Sequence, residues 1–255
     1  MNLSELEYQL NWLLKPELFH DFCPDGLIVQ AHDTKQTAVH KVVTGVSLRE
    51  SLIEEAVKKN ADVIIVHHPN GWWVSDKDKK IIDSNFARYT RMLIKNGISL
   101  FGYHLPLDAH PEIGNNVTVL KRLFGLCDAA CASRFLQDDI AYGLQGRVVT
   151  DEMLAEVFPK GYQAFNFESG QEYKVAVCTG SAALEIDEVY AQGYNMFITG
   201  EVRESTPIFA QEHNMAVIAA GHHRTEIFCV QNLAKWIDAK YDGVSAEFVD
   251  IDNPI

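Results

Sequence analysis

Histidine nitrogens and carboxylate oxygens are the donors from which catalytic metal sites are built, and this chain concentrates them at three places. His67-His68-Pro69 ends the apolar run of residues 61–66. Gly102-Tyr103-His104-Leu105-Pro106-Leu107-Asp108-Ala109-His110 follows the apolar residues 98–101. Gly221-His222-His223-Arg224-Thr225-Glu226 follows residues 216–220. Six of the ten histidines fall in these clusters, each at the end of a predicted strand. Open α/β sheets place their ligand sites just beyond the carboxyl ends of such strands.

The spacing suggests how the donors would be shared. His222 and Glu226 are four residues apart at a helix start, so both can face one side and hold one ion together. Asp108 adds an anionic oxygen able to bridge two ions. His67 and His68 are adjacent, and neighbouring side chains diverge in strand geometry, so the pair is expected to serve two metals a few ångströms apart. Five mixed nitrogen and oxygen ligands are few for two ions. Open positions are then left to water or substrate, as in catalytic rather than structural sites. Taken singly, a strand-end histidine is more often a core residue, and a His/Glu pair at this spacing more often a solvated helix face. The joint pattern carries the reading.

The elements that position these donors alternate. Leu3, Leu6, Leu10, Leu13 and Leu14 recur at helical spacing up to Pro16. Residues 42–46 read as a strand, with Ser47 as cap of a helix through Leu52, Ile53, Ala56 and Val57. The His67-His68 strand follows, then a helix over 81–96 closed by Asn96-Gly97, a strand over 98–101 and a helix over 115–124. The second half repeats the grammar, with strands at 173–178, 196–198, 216–220 and 246–249 and helices between. This alternation predicts α/β layers with mostly parallel sheets. Residues 127–170 fit the rhythm less well, and Gly143, Gly146, Pro159 and Gly161 suggest a junction with antiparallel strands. A boundary near Leu126 would divide the chain into a domain of residues 1–126, with the His67-His68 and Asp108 motifs, and one of 127–255, with His222 and Glu226.

Composition narrows the function classes. A hydrophobic content of 47% and a charged content of 22% over 255 residues are those of an ordinary globular protein. No apolar run reaches the roughly 20 residues that span a bilayer, so no membrane partner is expected. The formal charge of −13 argues against a general nucleic-acid binder, which needs a basic face. The basic run Lys77-Asp78-Lys79-Lys80 reads as a solvated face. An acidic N-terminus without a basic n-region, and five cysteines without a CxxC pair, point to a cytoplasmic protein with idle thiols. Trp72-Trp73 reads as an aromatic substrate wall or as packing, and Gly180-Ser181 as an anion-holding helix start or a simple turn. There is no Walker loop, GxGxxG or GxSxG.

With these clusters in view, the chain resembles the YbgI-like dinuclear-metal family, the GTP cyclohydrolase I type 2 homologues. The resemblance lies in Val66-His67-His68-Pro69, in 104–110 followed by Gly114-Asn115-Asn116, in Ile198-Thr199-Gly200-Glu201 and in 221–226. It implies His67, His68, Asp108, His222 and Glu226 as metal ligands, the same five reached from spacing. It also implies two similar three-layer α/β domains with mostly parallel or mixed sheets, a metal pair in the cleft between them, and a homohexameric ring. Arg224 stands where the family usually has a small residue, and Tyr103 where a threonine is often found; neither touches the ligand set.

Two functions follow. The first is a hydrolase using two divalent ions (Zn, Fe, Mn or Co) to activate water against a C=N, amide or phosphoryl centre, with Glu201 or His104 shuttling protons. The cyclohydrolase label would make its small-molecule substrate a purine nucleotide. The second is a non-catalytic, metal-containing ring on which partners dock.

Overall fold

The computed structural model describes residues 1–32, 37–69, 84–126, 132–136 and 140–255. Trp72-Trp73, the basic run 77–80, Cys127 and Cys131 lie outside the described residues. The chain forms two compact units, each with its own sheet: Met1–Leu107 with Val230–Ile251, and Asp108–Cys229 with Asp252–Ile255.

The first unit opens with α1 (Leu3–Leu14), whose buried leucines Leu3, Leu6, Leu10 and Leu14 form the expected stripe. Asn2 and Glu5 close a reciprocal capping box, and Lys15 ends the helix in the left-handed region just before Pro16. The sheet has five strands among the described residues, in the order β1 (Gly26–Val29), β4 (Ser99–Gly102), β3 (Val63–His68), β2 (Lys41–Ser47), β11 (Ser245–Phe248). All neighbours are parallel except the β1–β4 edge pair. Val63, Ile64, Ile65 and Val66 of β3 are fully buried, as a central strand covered on both faces requires. One face packs against α2 (Glu50–Lys58) and α3 (Ser84–Lys95) through Val43, Ile53, Ile64, Leu93 and Leu100.

The second unit holds a mixed sheet in the order β5 (Ser133–Phe135), β6 (Ala141–Val149), β8 (Gln171–Val177), β9 (Met196–Thr199), β10 (Ala216–Ala219), β7 (Gln163–Phe165). Strands β8, β9 and β10 are parallel; β5, β6 and β7 join antiparallel. The antiparallel strands expected between residues 127 and 170 are these three. Val117, Leu120 and Leu123 of α5 (Asn115–Phe124) pack with Leu154 of α6 (Asp151–Val157) and Val175 and Ile198 of the sheet. A separate cluster joins Ile186 and Val189 of α7 (Ile186–Ala191) and Ala210 of α8 (Ser205–Glu212) to Ala176, Phe197 and Val217.

Two expectations are corrected. The single boundary near Leu126, giving domains 1–126 and 127–255, is replaced by divisions at 107/108, at 229/230 within α9 (His222–Lys240), and at 251/252. The reason is packing: the apolar face of α5 belongs to the second core, and β11 hydrogen-bonds in parallel with β2, pairing Ser245 with Lys41 and Phe248 with Thr44. Ser47 does not cap α2. It is the last residue of β2, and the N-cap position falls to Arg49, with no side-chain cap.

Candidate metal centre

In the first unit, β3 and the turn after β4 bring three imidazoles together. His67 and His68 end β3, and His104 follows β4 by two residues. Each of the three offers a ligand atom within 4.8 Å of the others. The ring centroids are 4.5 Å apart for His67–His68, 4.9 Å for His67–His104 and 5.4 Å for His68–His104. The adjacent histidines therefore converge, where strand geometry alone predicts divergence.

Each ring is oriented through the same nitrogen. His67 Nδ1 lies 3.1 Å from the carbonyl oxygen of Tyr103, His68 Nδ1 lies 3.1 Å from Ser47 Oγ, and His104 Nδ1 lies 2.7 Å from Asp21 Oδ2. Asp21 also accepts the backbone N–H groups of Leu105 at 3.1 Å and Cys23 at 2.9 Å. Burial raises its pKa, but the His104 hydrogen bond and charge, with those amides, outweigh it and hold the carboxyl below its usual value. Asp25 accepts the backbone N–H of His104 at 2.9 Å, yet burial pushes its carboxyl up to about 6. Engaging Nδ1 with an acceptor selects the tautomer whose Nε2 can bind a cation.

In the second unit the donors are mainly carboxylates. Asp108 is buried, and its Oδ1 accepts Asn115 Nδ2 at 2.8 Å and Thr179 Oγ1 at 3.4 Å. Asn115 and Asn116 are themselves fixed, because their side-chain oxygens accept the N–H groups of Cys229 and Thr179 at 2.8 and 2.7 Å. At the start of α9, His222 Nε2 lies 3.1 Å from Glu226 Oε2, and His222 Nδ1 lies 2.5 Å from Glu201 Oε1. Burial lowers the His222 pKa, but the two carboxylates outweigh it and push it up to about 9. The two carboxylates thus make this corner of the unit one that favours a positive charge.

Two glycines make the corner possible. Gly180, just past β8, sits at φ +70°, and a Cβ there would overlap Glu226 Oε1 and approach His222 Nε2. Gly200, just past β9, would place a Cβ 2.8 Å from His222 Cα. The close approach these glycines permit between a buried carboxylate and an imidazole gives a nitrogen and oxygen donor set that fits a divalent metal ion.

Arg224, in the first turn of α9, donates to the Lys160 carbonyl at 3.3 Å. It lines a cavity of about 540 Å³ with Lys160, Tyr162, Gly200, Glu201 and Gly221. That size suits a small-molecule ligand, and the cavity reaches the carboxylate that holds His222. Cys23, Cys178 and Cys229 are buried free thiols, and burial pushes the Cys178 thiol well up. No helix among the described residues is long and apolar enough to cross a membrane.

Sequence reasoning passed over Asp21, Asp25, Ser47 and Thr179. Asp21 and Asp25 flank Cys23-Pro24 in a loop far from any histidine cluster in sequence, with no periodic signal to single them out. Asn115 was visible only through the Gly114-Asn115-Asn116 motif.

The family model described as Duf34/NIF3 (NGG1p interacting factor 3) matches residues 1–254. Among relatives, a protein of Haemophilus influenzae named GTP cyclohydrolase 1 type 2 homolog is 35% identical over the whole of both chains. One of Vibrio cholerae with the same name is 34% identical, also over both full lengths. Among solved structures, protein ybgI, titled as of unknown function, shares 32% identity over 100% of both chains with a TM-score of 0.83.

Proposed function

Because the chain belongs to the Duf34/NIF3 family, we propose that it is a hydrolase working with two divalent metal ions held by His67, His68, Asp108, His222 and Glu226. The orientation of the donors carries this reading. The imidazoles of His67 and His68 are held through Nδ1, His222 Nδ1 is held by Glu201, and Asp108 is held by an amide and a hydroxyl. Metal ligands are held in this way, because a fixed ring or carboxylate loses little freedom on binding. Bound together, two divalent ions would bring the pKa of water toward neutrality and polarise the bond under attack.

The chain's own groups complete the site. Asp108 supplies the oxygen able to serve both ions. Glu201 fixes the tautomer of His222 and stands at the cavity, within reach of a substrate proton. Arg224 supplies a cation to an anionic part of the substrate in that cavity. The relatives' name points to a purine nucleotide opened at its imidazole ring, within a wider class of C–N and phosphoryl bonds. Zn, Fe, Mn and Co all suit nitrogen and oxygen donors. Free buried thiols suit the reducing cytoplasm, and self-association into a closed hexamer is the expected assembly.

The test is metal-free full-length protein reloaded with each of the four metals and offered nucleotides, phosphoesters and cyclic amides. Turnover detected by mass spectrometry, and abolished by chelation, would support the hydrolase. Protein that holds two ions and turns over nothing in the panel would shift the reading to a metal-containing ring that binds partners.

A further inference from the structure

The cavity of about 540 Å³ in the second unit lies at the carboxyl ends of β9 and β10. Two cations line it: Arg224 from the first turn of α9, and Lys160 from the loop between α6 and β7. Pro254 and Ile255 line it too, from the segment 252–255 that follows the last strand. We propose that this cavity binds the phosphate group of a small molecule between Arg224 and Lys160, and that Asp252 and the residues after it are the internal occupant which such a ligand displaces. The site needs no metal ion. Its use by a substrate rests on the hydrolase reading, whose substrate class it narrows to phosphorylated compounds.

Four observations carry it. An anion already sits on one of the cations, because Asp252 Oδ1 lies 2.5 Å from Lys160 Nζ. Lys160 foremost, with Arg224 and His223 adding to it, holds that carboxyl below its usual value. A negative charge at this place is therefore favoured by more than its direct partner. The second observation is the guanidinium. Its Nη1 donates to the Lys160 carbonyl, which ties Arg224 to the loop that carries Lys160. Its Nε is buried without a hydrogen-bond partner among the described residues, although buried polar groups are rarely left unmet. Third, the start of α9 already holds an oxygen. The His223 N–H donates to the main-chain oxygen of Ile255 at 2.9 Å, as helix N-termini do to phosphate oxygens. Fourth, Gly221 sits at φ +94°, and a Cβ there would stand 3.1 Å from Arg224 Cδ and 3.2 Å from Ile255 C. The arginine stem and the end of the segment thus share one narrow space, and withdrawal of the segment opens the guanidinium to a ligand.

Asp252 is a weak occupant. Its side chain is 69% exposed and that of Lys160 47%, and exposed ion pairs contribute little. A carboxylate on Lys160 also leaves the Arg224 Nε unmet. A phosphate group carries up to about two charges and several acceptor oxygens, so it can engage both cations at once, and the planar fork of arginine suits paired phosphate oxygens. Glu201 lines the same cavity and repels a second anion there. The rest of the ligand is therefore neutral, with N–H groups that Glu201 can accept.

The experiment titrates inorganic phosphate, guanosine 5′-monophosphate and guanosine into the full-length protein by calorimetry, both metal-free and zinc-loaded. Phosphate and the nucleotide should bind in both states, with guanosine at least about 10-fold weaker than the nucleotide. Arg224→Gln and Lys160→Gln should each weaken the nucleotide by about 10-fold or more. Asp252→Asn, which takes the charge from the internal competitor, should tighten both anions by up to about fivefold. The backbone amide signals of residues 252–255 should move when phosphate is added to wild type. Thermal melts check folding; should Arg224→Gln unfold, Arg224→Lys, which keeps the charge and loses the fork, takes its place. No phosphate binding, or unchanged affinity in both the Arg224 and Lys160 variants, would overturn the site. Asp252→Asn protein that binds no tighter than wild type would overturn the displacement. Anions that bind only the zinc-loaded protein would put phosphate on the metal ions, overturning the cavity site and leaving the hydrolase reading standing. A nucleotide no tighter than phosphate would support the site and assign it to free phosphate. Anion binding that depends on Arg224 and Lys160, in protein whose reloaded form turns over nothing, would support the site and end its substrate role.

Discussion

The imidazoles of the first unit and Asp108 of the second, all candidate metal donors, are held by opposite chemistry. In the first, the donors are imidazoles whose Nδ1 atoms meet a carbonyl, a hydroxyl and a carboxylate. In the second, Asp108 is an anion and its supports are donors, the Asn115 amide and the Thr179 hydroxyl. Each arrangement follows from the donor atom. An imidazole must have one nitrogen protonated and tied back so that the other can bind. A buried carboxylate must have its negative charge partly met before an ion arrives. The sheets match this division. The first presents His67 and His68 directly from a fully buried parallel strand. The second delivers His222 and Glu226 from a helix, through the glycine turns after β8 and β9.

Breaking the carboxylate side should have the largest effect. Asp108→Asn keeps the shape but removes the charge that would serve both ions. Metal content should fall by at least one ion per chain, and any hydrolase activity by orders of magnitude, with the melting temperature changing little. Metal analysis alongside thermal melts checks this, and full metal occupancy in the variant would contradict it.

Gly180→Ala attacks the same side through the backbone. The added Cβ meets Glu226 Oε1 at a position already held at φ +70°, so strain of about 1–3 kcal/mol is expected. Denaturant melts should show the loss.

Ser47→Ala sharpens the comparison from the other side. It removes the support of His68 Nδ1 and none of the Asp108 contacts. Metal affinity should fall by up to about 10-fold, near the lower end for loss of such a support, and imidazole spectra should show His68 sampling both tautomers. Calorimetry that finds no change would mean that packing alone orients His68.

The smallest effect lies far from the donors, where β11 joins the first sheet. Glu247 pairs with Lys41 at 2.6 Å and Lys59 at 2.9 Å, and hydrogen bonds from these lysines hold its carboxyl below the ordinary value. A lowered folded-state pKa contributes stability that is present above the unfolded value and lost as pH falls through the folded one. The groups are partly exposed and screened by solvent, so their contribution is about 1 kcal/mol or less. Glu247→Gln should therefore melt slightly below wild type at pH 7, and the difference should shrink as pH falls below about 4. A gap that widens in acid would contradict the pairing.

Much of this was legible in the residues themselves. The His67-His68, His104–Asp108 and His222–Glu226 clusters declared themselves by donor type and by position after apolar runs. The leucine stripe of α1 and the buried run of β3 needed only periodicity. Less legible were contacts joining distant stretches. Asp21 reaches His104 across 83 residues, and Ser47 reaches His68 across 21. A lone Asp in a loop, or a Ser after a strand, carries no local mark of such a partner, and Ser47 before a helix reads naturally as a cap.

The sequence by itself therefore determined which elements form and which donors they carry, because helix and strand periods and side-chain chemistry are local properties. Tertiary structure decided the rest. It assigned β11 to the first sheet and α5 to the second core, turned His67 and His68 toward one another, and supplied each donor with its support. Those outcomes depend on strand pairing and close packing between segments far apart in the chain, and no window of sequence contains both partners.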